Sequence, residues 1–395
     1  MKKTYLFALV SSIGLLVVSY LLQNSAIPFN GDETLALKRV SHITNIKQKE
    51  YADCENCKWI DSLLLINGCY DLDTIPHYFD NELIPDGYYA ITSRKDIYKT
   101  LLALQQDNTY KYILLDIALT RLPDGYNEYT DSITRLLPQM QRIVIARSKD
   151  NFLMADSSLI DSMAGYVDYV VNPEETGFSK FNIMGSAPLK IYEDLHDRKV
   201  KRCLGGLLYT DGYALCRRTI IPSYFLTQDS LFCNSEEWGT QKLFADLKDV
   251  AQYGSLGYNF HNKIIVIGDY LENDMHQTIA GDLSGALILL NIYLNLVHRF
   301  HIVSWWFTLL LFVIYFIFSV LIVIGNKLWT MIPFWRKFWT SEIVQMIFEL
   351  IGWAFIFHWI SVAIYWGFGQ IYNPFIAIIW FTIIPKIYVT LTSKQ

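Results

Sequence analysis

The chain has 395 residues, of which 52% are hydrophobic and 18% charged, and its formal net charge is -5. Average globular chains carry about 25% charged residues, so this chain is apolar overall. We therefore expect a membrane, and no nucleic acid, among its partners. The apolar excess lies in four runs: Tyr5–Leu22, Ile302–Gly325, Ile343–Phe368 and Tyr372–Leu391.

The four apolar runs predict four membrane helices, because about 20 helical residues span a hydrocarbon core of roughly 30 Å. The first run follows Lys2 and Lys3, and it fits either a cleaved signal peptide or an uncleaved signal anchor. Its length and the lack of an A-x-A site in "LQNSAIP" favour the anchor.

The basic residues predict the orientation, since cytoplasmic loops are enriched in lysine and arginine. They lie before the first run, between the second and third runs, and after the fourth run, so both termini are predicted to be cytoplasmic. The predicted domains are a signal anchor (1–23), a linker (24–58), an extracytoplasmic domain (59–300), a three-helix membrane region (301–391) and a cytoplasmic tail (392–395).

Short continuous apolar runs in the extracytoplasmic domain predict strands that are buried on both faces, as in a parallel sheet. A helix with a cap at Ser93 and Asp96 lies between the first two runs, which indicates an α/β fold. Around Asp211 and Gly212 the sequence predicts an antiparallel hairpin added to this mostly parallel sheet. The runs are "SLLLINGC" (62–69), "YKYILLDIAL" (110–119), "RIVIARS" (142–148), "YVDYVV" (166–171) and "KIIVIG" (263–268).

All six cysteines lie in the predicted extracytoplasmic segment, where disulfides are permitted but their connectivity cannot be deduced. The spacing of Cys54 and Cys57 occurs in redox and zinc sites, but no second C-x-x-C accompanies it. A structural disulfide or free thiols explain this pair, and we assign no metal site. The other four are Cys69, Cys203, Cys216 and Cys233.

Charged residues end four of the predicted strands, where ligands bind in parallel sheets. They are Asp71, Asp116, Arg147 and Asp269. The three carboxylates could bind a divalent cation, act as acid and base, or only cap helices or hydrate the strand ends. Common nucleotide-binding, metalloprotease and hydrolase motifs are absent from the sequence. We therefore assign no catalytic residue and leave any cofactor unknown.

The segment "DYLENDMHQTIAG" follows the last predicted strand and contains Asp274 and His276. A hydrogen bond between the imidazole of His276 and the carboxylate of Asp274 would hold the ring and fix this loop against a helix that starts near Gly285. A structural histidine, a pocket residue and a metal ligand remain open as roles for His276.

The layout resembles the second type of CHASE domain, a sensory extracellular domain associated with cyclases and histidine kinases. The resemblance is carried by "KIIVIG", by the D-x-H-x-T-x-x-G pattern from Asp274 to Gly281, and by Asn291 in the apolar helix that follows. It implies one N-terminal membrane helix, a periplasmic sensor domain and three further membrane helices in a bacterial inner membrane. The ligand-binding candidates are Asp71, Asp116, Arg147, Asp269, Asp274 and His276.

Two features depart from the family pattern. Leu287 and Leu289 stand where many members carry Glu and His, and the chain lacks the family's kinase, cyclase or phosphodiesterase output domain after its last apolar run. We therefore expect a non-enzymatic sensor or signalling-complex subunit that binds an unknown ligand and acts through a separate partner protein. The alternative is an envelope enzyme that uses the acidic strand ends, and a transporter component is disfavoured by the few polar positions in the spans.

Overall fold

A computed structural model describes residues 2–24, 62–77, 87–148, 158–167, 169–171, 178–228, 243–271, 273–278, 281–323, 342–368, 376–383 and 387. The chain divides into two compact units. The sheet unit comprises Ile46–Lys199 and Pro222–Arg299, and the helix unit comprises Met1–Asn45, Val200–Ile221 and Phe300–Gln395. Most of the predicted linker, the predicted tail, and Cys54, Cys57 and Cys233 lie outside the described residues.

Nine helices have defined bounds in the described part of the chain, and residues 376–383 are also helical. They are α1 (Lys2–Gln23), α2 (Arg94–Asp107), α3 (Glu128–Leu136), α4 (Ser158–Met163), α5 (Ala187–His196), α6 (Leu247–Tyr253), α7 (Gly285–Val297), α8 (Trp305–Val323) and α9 (Glu342–Phe368).

The strands of the described residues form one large sheet and several small ones. They are β1 (Leu63–Asn67), β2 (Leu72–His77), β3 (Gly87–Thr92), β4 (Tyr112–Asp116), β5 (Ile143–Ser148), β6 (Ala164–Val167), β7 (Tyr169–Val171), β8 (Phe178–Asn182), β9 (Val200–Cys203), β10 (Leu208–Asp211), β11 (Ala214–Cys216), β12 (Thr219–Ile220), β13 (Phe244–Asp246), β14 (Ile264–Gly268), β15 (Met275–Thr278) and β16 (Gly281–Ser284).

The large sheet of the sheet unit has the order β13-β1-β14-β4-β5-β6, and all its neighbouring strands are parallel. Every residue of β1 and β14 is buried, which explains why these strands are continuously apolar: both faces of the sheet are covered. The predicted α/β fold with a mostly parallel sheet is confirmed. Strand β14 comes last in sequence among the six and lies between β1 and β4.

One face of the sheet is covered by α2, α3 and α6. Ile97 and Leu101 of α2, Ile133 of α3 and Val250 of α6 are buried in one core with alternate residues of the central strands. The N-terminus of α2 is fixed by Ser93, whose Oγ accepts a hydrogen bond from the Asp96 amide at 3.4 Å. This contact confirms the predicted cap.

The opposite face receives α7, whose residues from Gly285 to Leu296 are all buried. Asn291 of α7 accepts hydrogen bonds from the amides of Phe225 (2.7 Å) and Leu226 (2.9 Å). Its Nδ2 donates to the carbonyls of Leu226 (2.8 Å) and Leu287 (3.0 Å). One turn later, Asn295 bonds both the amide and the carbonyl of Ser223. The two asparagines therefore tie residues 223–226 to the helix.

The predicted hairpin forms around Asp211 and Gly212, but it belongs to the helix unit. It is part of a separate antiparallel sheet of order β11-β10-β9 and does not join the parallel sheet. The burial of β10 alternates between partly buried and buried residues, which suits a sheet covered on one face only. The run "YVDYVV" also differs from the prediction, since its residues contribute to both β6 and β7.

Among the described residues of the helix unit, two helices are long and apolar enough to cross a membrane, Tyr5–Leu22 and Trp305–Val323. Small residues allow α1 and α8 to approach closely: Ser12 of α1 donates to Ser319 of α8 at 3.2 Å, and the hydroxyls of Ser19 and Tyr315 are also 3.2 Å apart. Within α9, Leu350–Ile364 forms a shorter apolar segment. The third and fourth spans remain predictions.

Candidate functional site

Three neighbouring strands of the sheet unit end side by side at one edge of the parallel sheet. Asn67 of β1 is the register partner of Gly268 of β14, and Gly268 is the partner of Asp116 of β4. The side chains of register partners on neighbouring parallel strands project from the same face of the sheet, and each strand lies about 4.8 Å from the next. The side chains of Asn67 and Asp116 therefore flank a position that carries no side chain.

Helix α7 approaches the sheet at this position. A Cβ atom added to Gly268 would lie 2.6 Å from the Cβ of Ala286 in the first turn of α7. Such a distance is far inside van der Waals contact, so only glycine allows the helix to lie this close to the strand. The N-terminus of α7 is thus fixed over the ends of the central strands.

The segment before α7 brings Asp274 and His276 to the same place. His276 Nε2 lies 3.0 Å from Asp274 Oδ1, which confirms the predicted hydrogen bond. The Asp274 carbonyl accepts from the Gly285 amide at 2.9 Å, and a Cβ on Gly285 would collide with the Asp274 carboxylate. Asp274 therefore joins the first turn of α7 to the histidine.

The charges of these groups influence one another. Burial raises the pKa of Asp116 well above its usual range, and the Asp274 carboxylate raises it further, while His276 opposes the shift. The hydrogen bond to Asp274 raises the pKa of His276, burial lowers it, and both Asp274 and Asp116 contribute further to the rise. The raised pKa favours the protonated form of Asp116 beside the hydrogen-bonded side chains of Asp274 and His276.

Several buried polar atoms at this edge have no hydrogen-bond partner among the described residues. They are Asp116 Oδ2, Asn67 Nδ2 and Gln228 Oε1. The Asn67 amide is oriented by its Oδ1, which accepts from the amides of Cys69 and Tyr270, both at 3.2 Å. Gln228 Nε2 donates to the Tyr270 carbonyl. Buried polar groups are rarely left unsatisfied in proteins, so these atoms mark a place where a polar ligand can bind.

We call Asn67, Asp116, Gln228, Asp274 and His276 the strand-end site. Two of the three unpartnered atoms, on Asp116 and Gln228, are oxygens, and the third is an amide donor. Among the described residues, no group of three or more His, Cys, Asp or Glu side chains could hold a metal ion. The site is suited to a small organic ligand that offers hydrogen-bond donors and at least one acceptor.

The other three predicted site residues bond other partners. Asp71 accepts a hydrogen bond from the Lys248 amide at 2.9 Å, in the first turn of α6. Arg147 forms an ion pair with Asp161 at 2.5 Å. Asp269 accepts from the amides of Leu271 and Asn273 in the turn after β14. The Asp71 contact corresponds to the helix-capping role that the sequence left open, whereas Asp269 fixes a turn and Arg147 forms an ion pair.

Sequence reasoning missed Arg94, the first residue of α2. Its side chain is 4% exposed, and burial lowers its pKa to about 10 although the nearby Asp73 opposes the shift. Nη2 donates to the Ala118 carbonyl at 2.6 Å, while Nε and Nη1 are buried and have no hydrogen-bond partner in the described part of the chain. Ala118 follows β4 by two residues, so this cation lies near the same edge of the sheet. Nothing in the helical pattern indicates that the position is buried.

Asn67 and Gln228 were also missed. Asn67 ends an apolar run in the same way as Gly268 does, but its importance depends on register, which aligns it with Asp116 across two strands. Gln228 lies in an irregular segment whose contact with Tyr270 has no sequence signal.

The fold and this site define a mixed α/β chain with a parallel six-stranded sheet and, in the part that the structure describes, two helices able to cross a membrane. No family model matches the chain, and neither a curated protein nor a solved structure matches it.

Proposed function

We propose that the protein is a membrane-anchored sensor or signalling-complex subunit that binds a small ligand at the strand-end site and acts through a separate partner. The observation that carries the proposal is the buried Asp116 oxygen, which has no partner among the described residues and lies next to the Asp274–His276 pair at the N-terminus of α7. A ligand that bonds this oxygen would change the charge balance that fixes the start of α7.

A route from the site to the membrane follows from the sequence. Helix α7 begins beside the site at Gly285 and ends at Val297, and α8 begins at Trp305. A ligand shifts a conformational equilibrium only by its different affinity for the two states. A short and stiff connection between α7 and α8 would preserve this difference in affinity when a movement of α7 passes to α8.

The proposed location is a bacterial inner membrane, with both termini in the cytoplasm and the sheet unit in the periplasm. It is supported by the two apolar helices, the distribution of basic residues and the resemblance to the second type of CHASE domain. A reporter active only outside the cytoplasm should be active when fused after Tyr258 and inactive when fused at Gln395. The reverse pattern would disprove the orientation.

The ligand site can be tested with two matched aspartates. Amino acids, amines and neutral amides are screened for a rise in the melting temperature of the purified protein, of Asp116→Asn and of Asp71→Asn. Asp71→Asn keeps an acceptor for the Lys248 amide, so it should respond as the wild type does. Asp116→Asn should remain folded and lose the response. An equal loss in both variants would place binding elsewhere.

Signal transfer can be tested by inserting Gly-Ser-Gly-Ser between Arg299 and Phe300. A partner is first identified by detergent extraction, pull-down and mass spectrometry. The insertion should leave ligand binding intact and abolish the partner's response. A partner that responds normally to the insertion variant would show that the signal does not travel through this connection.

An envelope enzyme is the second candidate, and one observation favours it. A carboxyl group with a raised pKa beside an Asp–His pair is also a common arrangement for general acid and base catalysis. Turnover of a ligand found in the screen, lost in His276→Gln with binding retained, would favour the enzyme over the sensor.

A further inference from the structure

The small antiparallel sheet of the helix unit has a two-residue turn between β10 and β11, formed by Gly212 and Tyr213. We call these two residues the hairpin tip. Gly212 has a φ of 61°, which glycine adopts readily in such a turn, and the side chain of Tyr213 is fully exposed. Tyr213 therefore adds nothing to the packing of the sheet that carries it.

The chain that enters α8 runs along β11 toward the hairpin tip. Cys216 of β11 forms an antiparallel bridge with Ile302, and the Val303 amide donates to the Leu215 carbonyl at 2.8 Å. Antiparallel segments run in opposite directions, and β11 leads away from the hairpin tip. The segment that leaves Val303 therefore leads toward the tip.

The hairpin tip lies at the level of the first residues of α8. Trp305 is two residues beyond Val303, and Tyr213 is two residues from Leu215 in the same direction, so both are about 7 Å from the hydrogen bond that joins the two segments. Trp305 and Trp306 are 62% and 58% exposed, and their stacked rings are 3.8 Å apart. Tryptophan and tyrosine are the residues enriched where membrane helices meet the interface.

Helix α1 has the same direction relative to this sheet. The Tyr20 hydroxyl donates to the Cys216 carbonyl at 2.9 Å, and the Arg218 amide donates to Asn24 Oδ1 at 2.7 Å. As α1 proceeds from Tyr20 to its end, its contacts move along the chain from Cys216 to Arg218, away from the hairpin tip. The apolar turns of α1 that precede Tyr20 therefore extend toward the side of the tip.

Buried contacts hold the hairpin tip in a fixed position relative to α8. Asp211 directly precedes the tip, and its Oδ2 lies 3.1 Å from His301 Nε2, with both side chains completely buried. The Arg217 amide donates to the His301 carbonyl at 2.8 Å, and the Arg217 guanidinium lies 5.4 Å from the centre of the Phe307 ring of α8. The tip therefore cannot withdraw from the level of Trp305 without breaking these contacts.

The opposite end of the same sheet offers a matched comparison. Strands β9 and β10 are joined there by residues 204–207, and Leu207 is 58% exposed. Strand β10 has four residues, so this end lies about 13 Å from the hairpin tip along the strand, away from the start of α8. Leu207 is thus a large exposed apolar side chain on the same sheet at a different level.

We propose that the hairpin tip is a membrane contact, in which Tyr213 enters the interfacial layer of the bilayer beside Trp305 and Trp306. The contact rests on the membrane anchoring proposed above. The tyrosine ring lies at the acyl boundary and its hydroxyl among the headgroups. Lys201 is exposed on β9 opposite Thr210, close to the tip, where a cation favours headgroup phosphates. The contact fixes the height of this sheet above the bilayer at the point where α8 enters it.

The test uses the photo-reactive amino acid p-benzoylphenylalanine, incorporated singly at position 207, 213 or 313. Each full-length variant is reconstituted into nanodiscs of phosphatidylethanolamine and phosphatidylglycerol, irradiated, and analysed by mass spectrometry for lipid adducts. Val313 is 42% exposed near the middle of α8 and reports on membrane insertion itself. Because all three side chains are exposed, the substitutions are compatible with folding, which far-ultraviolet circular dichroism of each variant verifies.

Lipid adducts at positions 213 and 313, with at least tenfold fewer at 207, are the expected result. Adducts at 313 without adducts at 213, or a difference of less than tenfold between 213 and 207, would overturn the proposal and leave the membrane anchoring intact. Absence of adducts at 313 would instead overturn the anchoring, and the contact of the hairpin tip with it.

Discussion

The sheet unit contains two sets of buried polar side chains that differ in how completely they are hydrogen-bonded. Asn291 of α7 uses both acceptor positions and both donor hydrogens. Asn67 and Asp116, at the strand ends, each keep one buried atom without a partner among the residues that the structure describes. A satisfied buried amide stabilises the fold, whereas an unsatisfied one costs stability and is retained where it serves another purpose. A buried polar side chain therefore does not by itself identify a site. A buried polar atom without a hydrogen-bond partner does.

The largest effect is expected from Asn291→Leu. The substitution removes the partners of two backbone amides and one carbonyl in residues 225–226, and each buried unsatisfied group costs about 1–3 kcal/mol. We expect a loss of about 3 kcal/mol or more in the free energy of unfolding of the sheet unit, measured by hydrogen exchange of its slowest amides. The matched change Asn67→Leu leaves fewer groups unsatisfied and should cost clearly less. Equal losses would remove the distinction between the two sets.

A smaller effect is expected from pH. The pKa values of Asp116 and His276 are both raised in the folded protein. Asp116 therefore contributes stability that is complete below its ordinary pKa of about 4 and is lost as the pH rises through its raised pKa. His276 likewise contributes fully below about pH 6.5 and loses its contribution as the pH rises through its own raised value.

The melting temperature of the sheet unit should thus fall as the pH is raised from acid through neutral. Asp116→Asn should reduce the dependence of the melting temperature on pH and leave the part that comes from His276. The double variant with His276→Gln should flatten it further. A dependence on pH that is the same in the wild type, in Asp116→Asn and in the double variant would contradict the assigned directions of both pKa shifts.

The smallest effect is expected from His276→Ala. The loss of one half-exposed hydrogen bond to Asp274 is worth about 1 kcal/mol, so amides of β15 and β16 should exchange about fivefold faster. The amides of β14 should keep their protection, because this strand is buried in the middle of the sheet. Unchanged exchange in β15 and β16 would mean that His276 does not organise this segment.

The sequence alone predicted the elements that depend only on residues close to one another along the chain. The cap of α2 at Ser93, the turn at Gly212 and the start of α7 beside Asp274 each depend on a few neighbouring residues, and each was predicted. Strand order is not local: nothing in "KIIVIG" indicates that β14 enters between β1 and β4. Without that order, the sequence could not show that Asp116, rather than Asp71, is the aspartate that lies near Asp274.

The missed residues follow from the same cause. The role of Asn67 depends on its alignment with Asp116 through Gly268. Arg94 occupies a helix position where an arginine is normally solvated, and only the neighbouring strands and loops make it buried. Burial of a polar residue is set by tertiary contacts, which amphipathic patterns do not contain.

The late position of β14 in the sequence has a consequence for biosynthesis. Until residues 264–268 have left the ribosome, β1 and β4 lack the neighbour that separates them in the finished sheet. The nascent chain must therefore keep two apolar strand edges apart while almost 150 residues after β4 are synthesised, which takes on the order of ten seconds or longer at the usual rates of elongation. Such open edges are prone to wrong pairing. We expect newly made chains to depend on a holding chaperone until β14 arrives, and truncation before residue 264 to convert the product into an aggregate or a substrate for proteolysis.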